Sequence, residues 1–314
     1  MSKPLSYGLL SAAGNRILIL DASGAERRRL DFAALAPRLE PGWSFDQLML
    51  LSRGQDGWQV QIYNRDGSPA EQCGNGMRCL AAWLDRQGLL DHGSTTVHTP
   101  AGRVRLEKRD GRGFFVALPP PSFDRQAVRY AGPFVHDPML RLDRGVIAIA
   151  ELGPVVRRVL PAESEIAFDL VSMGNPHAII WIGHADTAHQ DESLRSDDAP
   201  SDDTLLARYP LAAVAQAIEA RSLFERGVNL SVALRPKPNT DRIHARAHER
   251  GAGETQACGS AACAIAASAR IRGWIGSRSE IVFPGGTLEV IWKGPGDLIW
   301  LGGRVDWILE GELR

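Results

Sequence analysis

The sequence lacks an excess of charge of either sign. Its 36 Lys and Arg are set against 37 Asp and Glu, a formal net charge of -1. A chain without a basic excess is a poor match for nucleic acid or an anionic membrane surface. The expected partner is therefore a small molecule or another protein chain. Long apolar runs are also missing. The apolar runs are short, such as Val146 to Ala150, far below the roughly 18 residues of a membrane span. Lys3 followed by Leu5 to Leu20 has the outline of a signal peptide, but Gly8, Ser11, Gly14, Asn15 and Arg16 interrupt it. Cysteine is scarce, with four in 314 residues. A chain this long does not need disulfide staples. The cysteine pairs 73/79 and 258/263 are not Cys-x-x-Cys, and their spacing suits neither thiol-redox chemistry nor zinc. Reduced thiols in a cytoplasmic protein are expected.

What remains has the composition of a globular protein, 44% hydrophobic and 23% charged, and is long enough for two domains. Strand patterns run from Arg16 to Leu20, from Phe45 to Leu50 and from Trp58 to Asn64, with a turn at Asp66-Gly67. Thr95–Thr99 and Gly102–Glu107 read as a hairpin, and Phe114 to Leu118 as a further strand. Pro119-Pro120-Pro121 reads as a linker. The second half adds strands at Val146–Ala150, Ile166–Met173, Ala178–Ile182, Val228–Leu234, Ile243–His248 and Thr287–Trp292, and a helix at Leu211–Ala220. Arg27-Arg28-Arg29 and the acidic stretch from Gly183 to Asp203, which includes His184 and His189, are expected to be solvated loops, and no metal site is assigned.

Two strings stand out, Cys73-Gly74-Asn75-Gly76-Met77-Arg78-Cys79 and Cys258-Gly259-Ser260-Ala261-Ala262-Cys263. A glycine-containing turn precedes each, and helix-forming residues follow. Met77, Leu80, Ala81 and Leu84 repeat at helical spacing, with Gly88 as a stop. Residues Ser260 to Arg272 are small and apolar nearly all round, the pattern of a helix buried on every side. Each leading cysteine thus sits at a helix start, where outward N–H groups and the dipole favour a thiolate. Cys79 and Cys263, inside the helices, read as small buried hydrophobes.

The halves repeat. Ala13-Gly14-Asn15 before Ile17-Leu18-Ile19 matches Met173-Gly174-Asn175 before Ala178-Ile179-Ile180. Asn64 lies nine residues before Cys73, and Glu249 nine before Cys258. Thr99-Pro100-Ala101-Gly102 echoes Phe283-Pro284-Gly285-Gly286, 29 residues after the first cysteine at Gly102 and 28 after the second at Gly286. Four matches in one order predict two similar domains, each presenting a helix start to a shared cleft. Two equivalent thiols on opposite sides of one carbon suit inversion of a stereocentre. One thiolate removes the α-proton, and the other thiol protonates the opposite face. Reference thiol pKa values near 8.5 allow one of each at neutral pH. The N–H groups of Gly74, Asn75, Gly259 and Ser260 would hold the carboxylate that spreads the charge.

The sequence resembles the diaminopimelate epimerase family over nearly its whole length, most strongly at Asn64–Cys79, Val171–His177 and Glu249–Cys263. The resemblance implies an α+β fold of two pseudo-symmetric domains, each a barrel-like mixed or antiparallel sheet around a central helix, with the active site in the cleft between them. The boundaries are 1–121 for the N-terminal domain, completed by a strand at 304–314, and 122–303 for the C-terminal domain. It implies interconversion of LL- and meso-2,6-diaminopimelate, without cofactor or metal, in lysine and peptidoglycan precursor synthesis. A homodimer is admitted. Cys73 and Cys258 become the acid/base pair. Glu249 and His177 become helpers that orient the reacting amine and tune the thiols. Asn15, Gln47, Asn64, Gly74, Asn75, Asn175, Asn229, Glu249, Arg250, Gly259 and Ser260 become the substrate site, with Arg250 suited to a distal carboxylate. The case for Asn229 rests on the string Glu225-Arg226-Gly227-Val228-Asn229. Three departures from the family pattern are Arg16 after Asn15, Ala261 in the second string, and the regions Pro133–Val159 and Gly183–Asp203, which align poorly and are assigned no role. Proline or hydroxyproline epimerases on the same fold carry a histidine after the first Cys-Gly and an aspartate before the second cysteine. Here those positions hold Asn75 and Ala257. A non-catalytic binding protein would not need two thiols and Glu249 together.

Overall fold

Strands dominate the chain between its turn residues. The computed structural model describes residues 5–23, 31–70, 72–158, 160, 164–183 and 202–313. Arg27-Arg28-Arg29, His184, His189 and most of the acidic stretch lie outside the described residues. The chain divides into two units, Met1–Leu118 with Trp300–Arg314, and Pro119–Ile299. The break falls at the triple proline.

The first unit opens with β1 (Leu5–Ala12) and β2 (Asn15–Asp21), joined by a turn in which Ala13 and Gly14 have φ of 50° and 81°. Then come α1 (Phe32–Trp43), β3 (Gln47–Gly54), β4 (Gly57–Asn64), β5 (Pro69–Ala70), α2 (Gly74–Arg86), β6 (Ser94–Thr99), β7 (Gly102–Arg109) and β8 (Gly113–Leu118). The second unit contains β9 (Phe134–Asp137), β10 (Leu142–Ala148), a 3-10 turn (Ile149–Glu151), α3 (Pro154–Arg157), β11 (Glu165–Ser172), β12 (Pro176–Ile182), α4 (Asp202–Arg208), α5 (Leu211–Glu219), β13 (Asn229–Leu234), β14 (Arg242–Glu249), β15 (Gly253–Thr255), α6 (Gly259–Ile271), β16 (Arg278–Phe283) and β17 (Gly286–Ile291). With β18 (Ile299–Gly303) the chain leaves the second unit, and β19 (Asp306–Leu313) pairs antiparallel with β1.

Each unit uses the same pairing scheme. In the first, β1–β2 is antiparallel, β2–β3 parallel, β3–β4 antiparallel, β4–β6 parallel and β6–β7 antiparallel. In the second, β11–β12 is antiparallel, β12–β13 parallel, β13–β14 antiparallel, β14–β16 parallel and β16–β17 antiparallel. The helix α2 packs on β1, β2, β7 and β8, and α6 on β11, β12, β13, β16 and β17. The α+β class is as the family resemblance implies, and α6 is buried on every side as its own residues predict.

Strand alternation explains why both sheet faces are buried. In β2, Leu18 and Leu20 pack with Phe45, Leu48 and Leu50 and with Ala36 of α1. Ile17 and Ile19 point the other way, by the period of two. Ile19 lies opposite Gly8, and a Cβ at Gly8 would meet the Trp83 ring of α2 at 2.6 Å. The second unit repeats this. Phe168, Leu170, Ala178, Ile180, Leu230 and Val232 pack under Leu211, Val214 and Ile218 of α5. On the opposite face, Asp169 of β11 accepts hydrogen bonds from Trp181 Nε1 (2.9 Å), Ser268 Oγ (2.5 Å) and Arg272 Nε (2.8 Å), which anchors the C-terminal end of α6.

The sequence did not point to β1, β5, β9, β15, β16 or β18, nor to α1, α3 or α4. The helix α1 contains Pro37 and Pro41, residues that normally argue against a helix interior. Its start is fixed by Asp31, whose side chain accepts from Ala34 N at 3.2 Å.

Candidate active site

The site residues of the first unit gather where α2 begins. Cys73 has extended backbone (φ -145°, ψ 106°) and is the N-cap of α2. Its Sγ accepts from Gly76 N at 3.2 Å and from Asn15 Nδ2 at 3.8 Å. Donors aimed at sulfur favour the thiolate, as does the helix dipole. Glycine at position 76 leaves room for both neighbours, since a Cβ there would lie 3.2 Å from Cys73 Sγ and would displace the Met49 methyl, 2.1 Å away. Gln47 and Asn64 are register partners on β3 and β4, and Gln47 Nε2 donates to Asn64 Oδ1 at 3.1 Å. Asn64 Nδ2 donates to Ser68 Oγ at 3.0 Å. Asn15 Oδ1 and Gln47 Oε1 are buried without a hydrogen-bond partner among the described residues. Such acceptors inside a protein call for a donor. Asn75 is buried, and its Oδ1 accepts from Arg78 Nη2 at 2.8 Å. Arg16 turns away from these groups, with its Nη2 on Trp43 O at 3.1 Å and its N–H on Asp46. This departure therefore leaves the contact between Asn15 and Cys73 in place.

In the second unit a chain of polar contacts ends on Cys258, the N-cap of α6. Buried His177 meets Asn175 Oδ1 through Nε2 at 3.1 Å. Asn175 Nδ2 donates to Ser260 Oγ at 3.4 Å, and Ser260 Oγ lies 3.5 Å from Cys258 Sγ. On the other side Cys258 Sγ donates to Glu249 Oε2 at 3.1 Å, and Thr255 Oγ1 donates to Glu249 Oε1 at 2.7 Å. Burial first, and the Glu249 carboxylate second, push the Cys258 thiol well above the usual range. As it stands, Cys258 is a protonated thiol. His177 is pushed down to about 3 by burial, so its imidazole is neutral. A neutral ring that donates from Nε2 leaves Nδ1 as a bare acceptor, and Nδ1 is without a partner among the described residues.

Two placements refine the sequence reading. His177 is fully buried, so its reach toward any ligand runs through Asn175. Asn229 accepts from Arg250 N at 3.0 Å and donates to Pro176 O at 3.3 Å, tying the end of β14 to the start of β12. That leaves it one donor hydrogen and one lone pair. Arg250 is exposed, and its guanidinium donates to Arg226 O. Gly259 and Ala261 are buried in the first turn of α6. Two residues escaped the sequence reading. Arg78 is a fully buried guanidinium, and its signal was a charge inside the otherwise apolar run from Met77 to Leu84. Thr255 had none beyond its position near the Glu249 turn. Among the described residues no group of three or more His, Cys, Asp or Glu is placed to hold a metal ion. No helix among them is long and apolar enough to cross a membrane.

The sequence model of one family, described as diaminopimelate epimerase, matches residues 13–116 and 170–308, and so takes in both cysteine-capped helices. The chain belongs to the diaminopimelate epimerase family. A diaminopimelate epimerase from Alkalilimnicola ehrlichii is 31% identical, covering 97% of each chain. The O-ureido-serine racemase of Streptomyces lavendulae is 33% identical, covering 98% of this chain and 94% of its own. Among solved structures, a PhzF-family phenazine biosynthesis protein from Bacillus anthracis shares the fold, with a TM-score of 0.62 at 15% identity and 99% coverage of both chains. The family match takes in residues 13–116 and 170–308, and with them Cys73 and Cys258.

Proposed function

We propose that the protein is a cofactor-independent epimerase that interconverts LL- and meso-2,6-diaminopimelate, with Cys73 and Cys258 acting on one α-carbon. The observation that carries this reading is that a Cys-Gly pair caps the central helix of each unit, within a family match that includes both. The two sulfurs have unlike surroundings. N–H donors aim at Cys73, whereas a carboxylate holds the proton of Cys258. In the forward step the Cys73 thiolate takes the α-proton, and the C–H electron pair passes into the α-carbon and its carboxylate. The Cys258 thiol then gives its proton to the opposite face. The products are a Cys73 thiol, a Cys258 thiolate and inverted carbon, and the reverse reaction exchanges the roles.

The N–H groups at the starts of α2 and α6 would hold the carboxylate as charge develops. Comparable preorganised donors contribute roughly 3–4 kcal/mol each. The unpartnered Asn15 Oδ1 and Gln47 Oε1 suit a substrate ammonium group. Arg250, exposed and forked, suits a second carboxylate. His177 acts by orienting Asn175. In this reading no bound cofactor takes part. The reaction belongs to lysine and peptidoglycan precursor synthesis in the cytoplasm, where thiols stay reduced.

A second amino acid has one observation in its favour, the 33% identity to an O-ureido-serine racemase. The test is incubation with LL-diaminopimelate in deuterated water, followed by α-deuterium and isomer analysis. O-ureidoserine and 4-hydroxyproline are run in parallel. Deuterium should enter only as diaminopimelate epimerises. Cys73→Ala and Cys258→Ala should each abolish epimerisation, and a wild-type rate in either variant ends the two-base assignment. Turnover of O-ureidoserine alone would move the substrate while keeping the chemistry.

A further inference from the structure

The Glu249 carboxylate is engaged at both oxygens. Its Oε2 accepts the Cys258 S–H at 3.1 Å, and its Oε1 accepts the Thr255 hydroxyl at 2.7 Å. Backbone register creates this arrangement. The β14–β15 pair aligns Ala247 with Thr255 and Glu249 with Gly253. Residues two apart on a strand share a face, so Thr255, opposite Ala247, projects on the face that carries Glu249. Glu254, one residue earlier, projects the other way and pairs with Arg246 Nε at 2.6 Å. Three residues after Thr255 the chain reaches Cys258. One ten-residue stretch therefore carries donor, carboxylate and thiol.

We propose that Thr255 is a positioning residue for the epimerase reaction, holding the Glu249 carboxylate so that its free edge faces Cys258 and sets which form of that sulfur prevails. The proposal rests on the two-thiol reading above. A carboxylate with only the thiol contact would swing about its terminal torsions, which are broad. Threonine restricts it because its own χ1 is stiff and its hydroxyl makes a charge-assisted bond. Other groups near the sulfur do not replace this restraint. The Cys258 proton is already directed at Glu249, so Ser260 Oγ meets the sulfur as a donor of its own hydrogen. His177 is neutral and one residue further out, and the Arg250 guanidinium is engaged at Arg226 O. Glu249 is thus the charged group bonded to Cys258, and Thr255 decides where it points.

The experiment compares Thr255→Val, which keeps the shape without the hydroxyl, with Thr255→Ser, which restores the donor. Iodoacetamide labelling of Cys258 is followed against pH in a Cys73→Ser background, and the pH profile of epimerisation, in the direction that needs a protonated Cys258, is measured separately with Cys73 intact. A loosened carboxylate relieves the penalty on the thiolate. Labelling near neutral pH should then rise about tenfold in Thr255→Val, the size of one hydrogen bond to a charged group. The acid must be protonated, so activity is lost as pH rises through its titration. The basic limb should therefore move about one pH unit lower. Thr255→Ser should match the parent in both. Wild-type labelling and an unmoved profile in Thr255→Val overturn the proposal, as does a uniform fall in kcat/KM with the profile in place. Should Thr255→Val not fold, Thr255→Ala carries the same expectations. Labelling needs no substrate, so failure to epimerise any amino acid would overturn the proposed function and leave the Thr255 result to stand by itself.

Discussion

The sulfur of Cys258 sits between contacts that favour opposite ionisation states. Glu249 accepts its proton, while Ser260 offers one to the anion. In the proposed reaction this thiol is acid in one direction and base in the other, and such a group needs both. The cost of keeping His177 neutral beneath this chain is measurable. Its folded-state value is pushed down to about 3 from 6.5 by burial. The unfolded chain therefore takes up a proton that the native protein refuses. Stability from the neutral ring is complete above pH 6.5 and is lost as pH falls toward 3, by about 1.4 kcal/mol per pH unit. Between pH 7 and pH 5 the wild type should lose about 2 kcal/mol more than His177→Gln, which keeps an amide donor, in urea unfolding at each pH. Equal losses would show that His177 takes up its proton normally. The cysteines were legible in the sequence because a turn, a glycine and a helical pattern announce an N-cap locally. The link from Asn175 to Ser260 spans 85 positions, and no local pattern announces it. Thr255 was missed for the same reason, since its role depends on which face of a hairpin it occupies.

Each central helix is shaped by the strands around it. Ten of the thirteen residues of α6 are buried, and most of them are alanine. Small side chains let strands approach on every side, so added volume has nowhere to go. Ala267→Leu should cost roughly 1–3 kcal/mol by overpacking, read as a shift in urea midpoint with unchanged slope. A neutral result would show unfilled space beside α6. The helix was legible in the sequence because its apolar residues run all round instead of forming a stripe. The helix α1 was not, because Pro37 and Pro41 speak against a helix interior. It forms because Ala36, Leu35 and Leu39 cover Leu18, Leu20 and Leu48 of the sheet, and packing of this kind outweighs propensity. The strand β1 was hidden by Gly8 and Ser11, which break the apolar run. Gly8 is there because the Trp83 ring occupies the space a side chain would need.

At the scale of the whole chain, the repeat read from four short strings corresponds to a repeated order of parallel and antiparallel pairs in both units. The strings preserved it because they lie at turns and helix starts, where backbone conformation restricts residue type. The strands β9 and β10 and the helices α3 to α5 carry no such strings, and their arrangement in the second unit could not be read in advance. The last strand shows how the chain closes its first unit. Seven residues of β1, from Leu5 to Ser11, have partners in β19. Trp307 stacks on Trp83 of α2 with ring centroids 5.9 Å apart, and the Arg86 guanidinium lies 4.4 Å over the Trp307 ring. Arg78 Nη1 donates to Arg304 O at 3.3 Å. Deleting residues 304–314 would strip the outer edge of β1, remove an aromatic pair and leave the buried Arg78 without that carbonyl. Losses of this kind add to about 3 kcal/mol or more, roughly 100-fold in local opening. Amides of β2, β3 and α2 should exchange about 100-fold faster in the truncated protein. Those of β12, β13 and α6, which pair with or pack on β11, β14, β16 and β17 of Pro119–Ile299, should keep their protection. Equal acceleration in both sets would mean that the two units open together, and no acceleration would mean that β1 does not need its final partner.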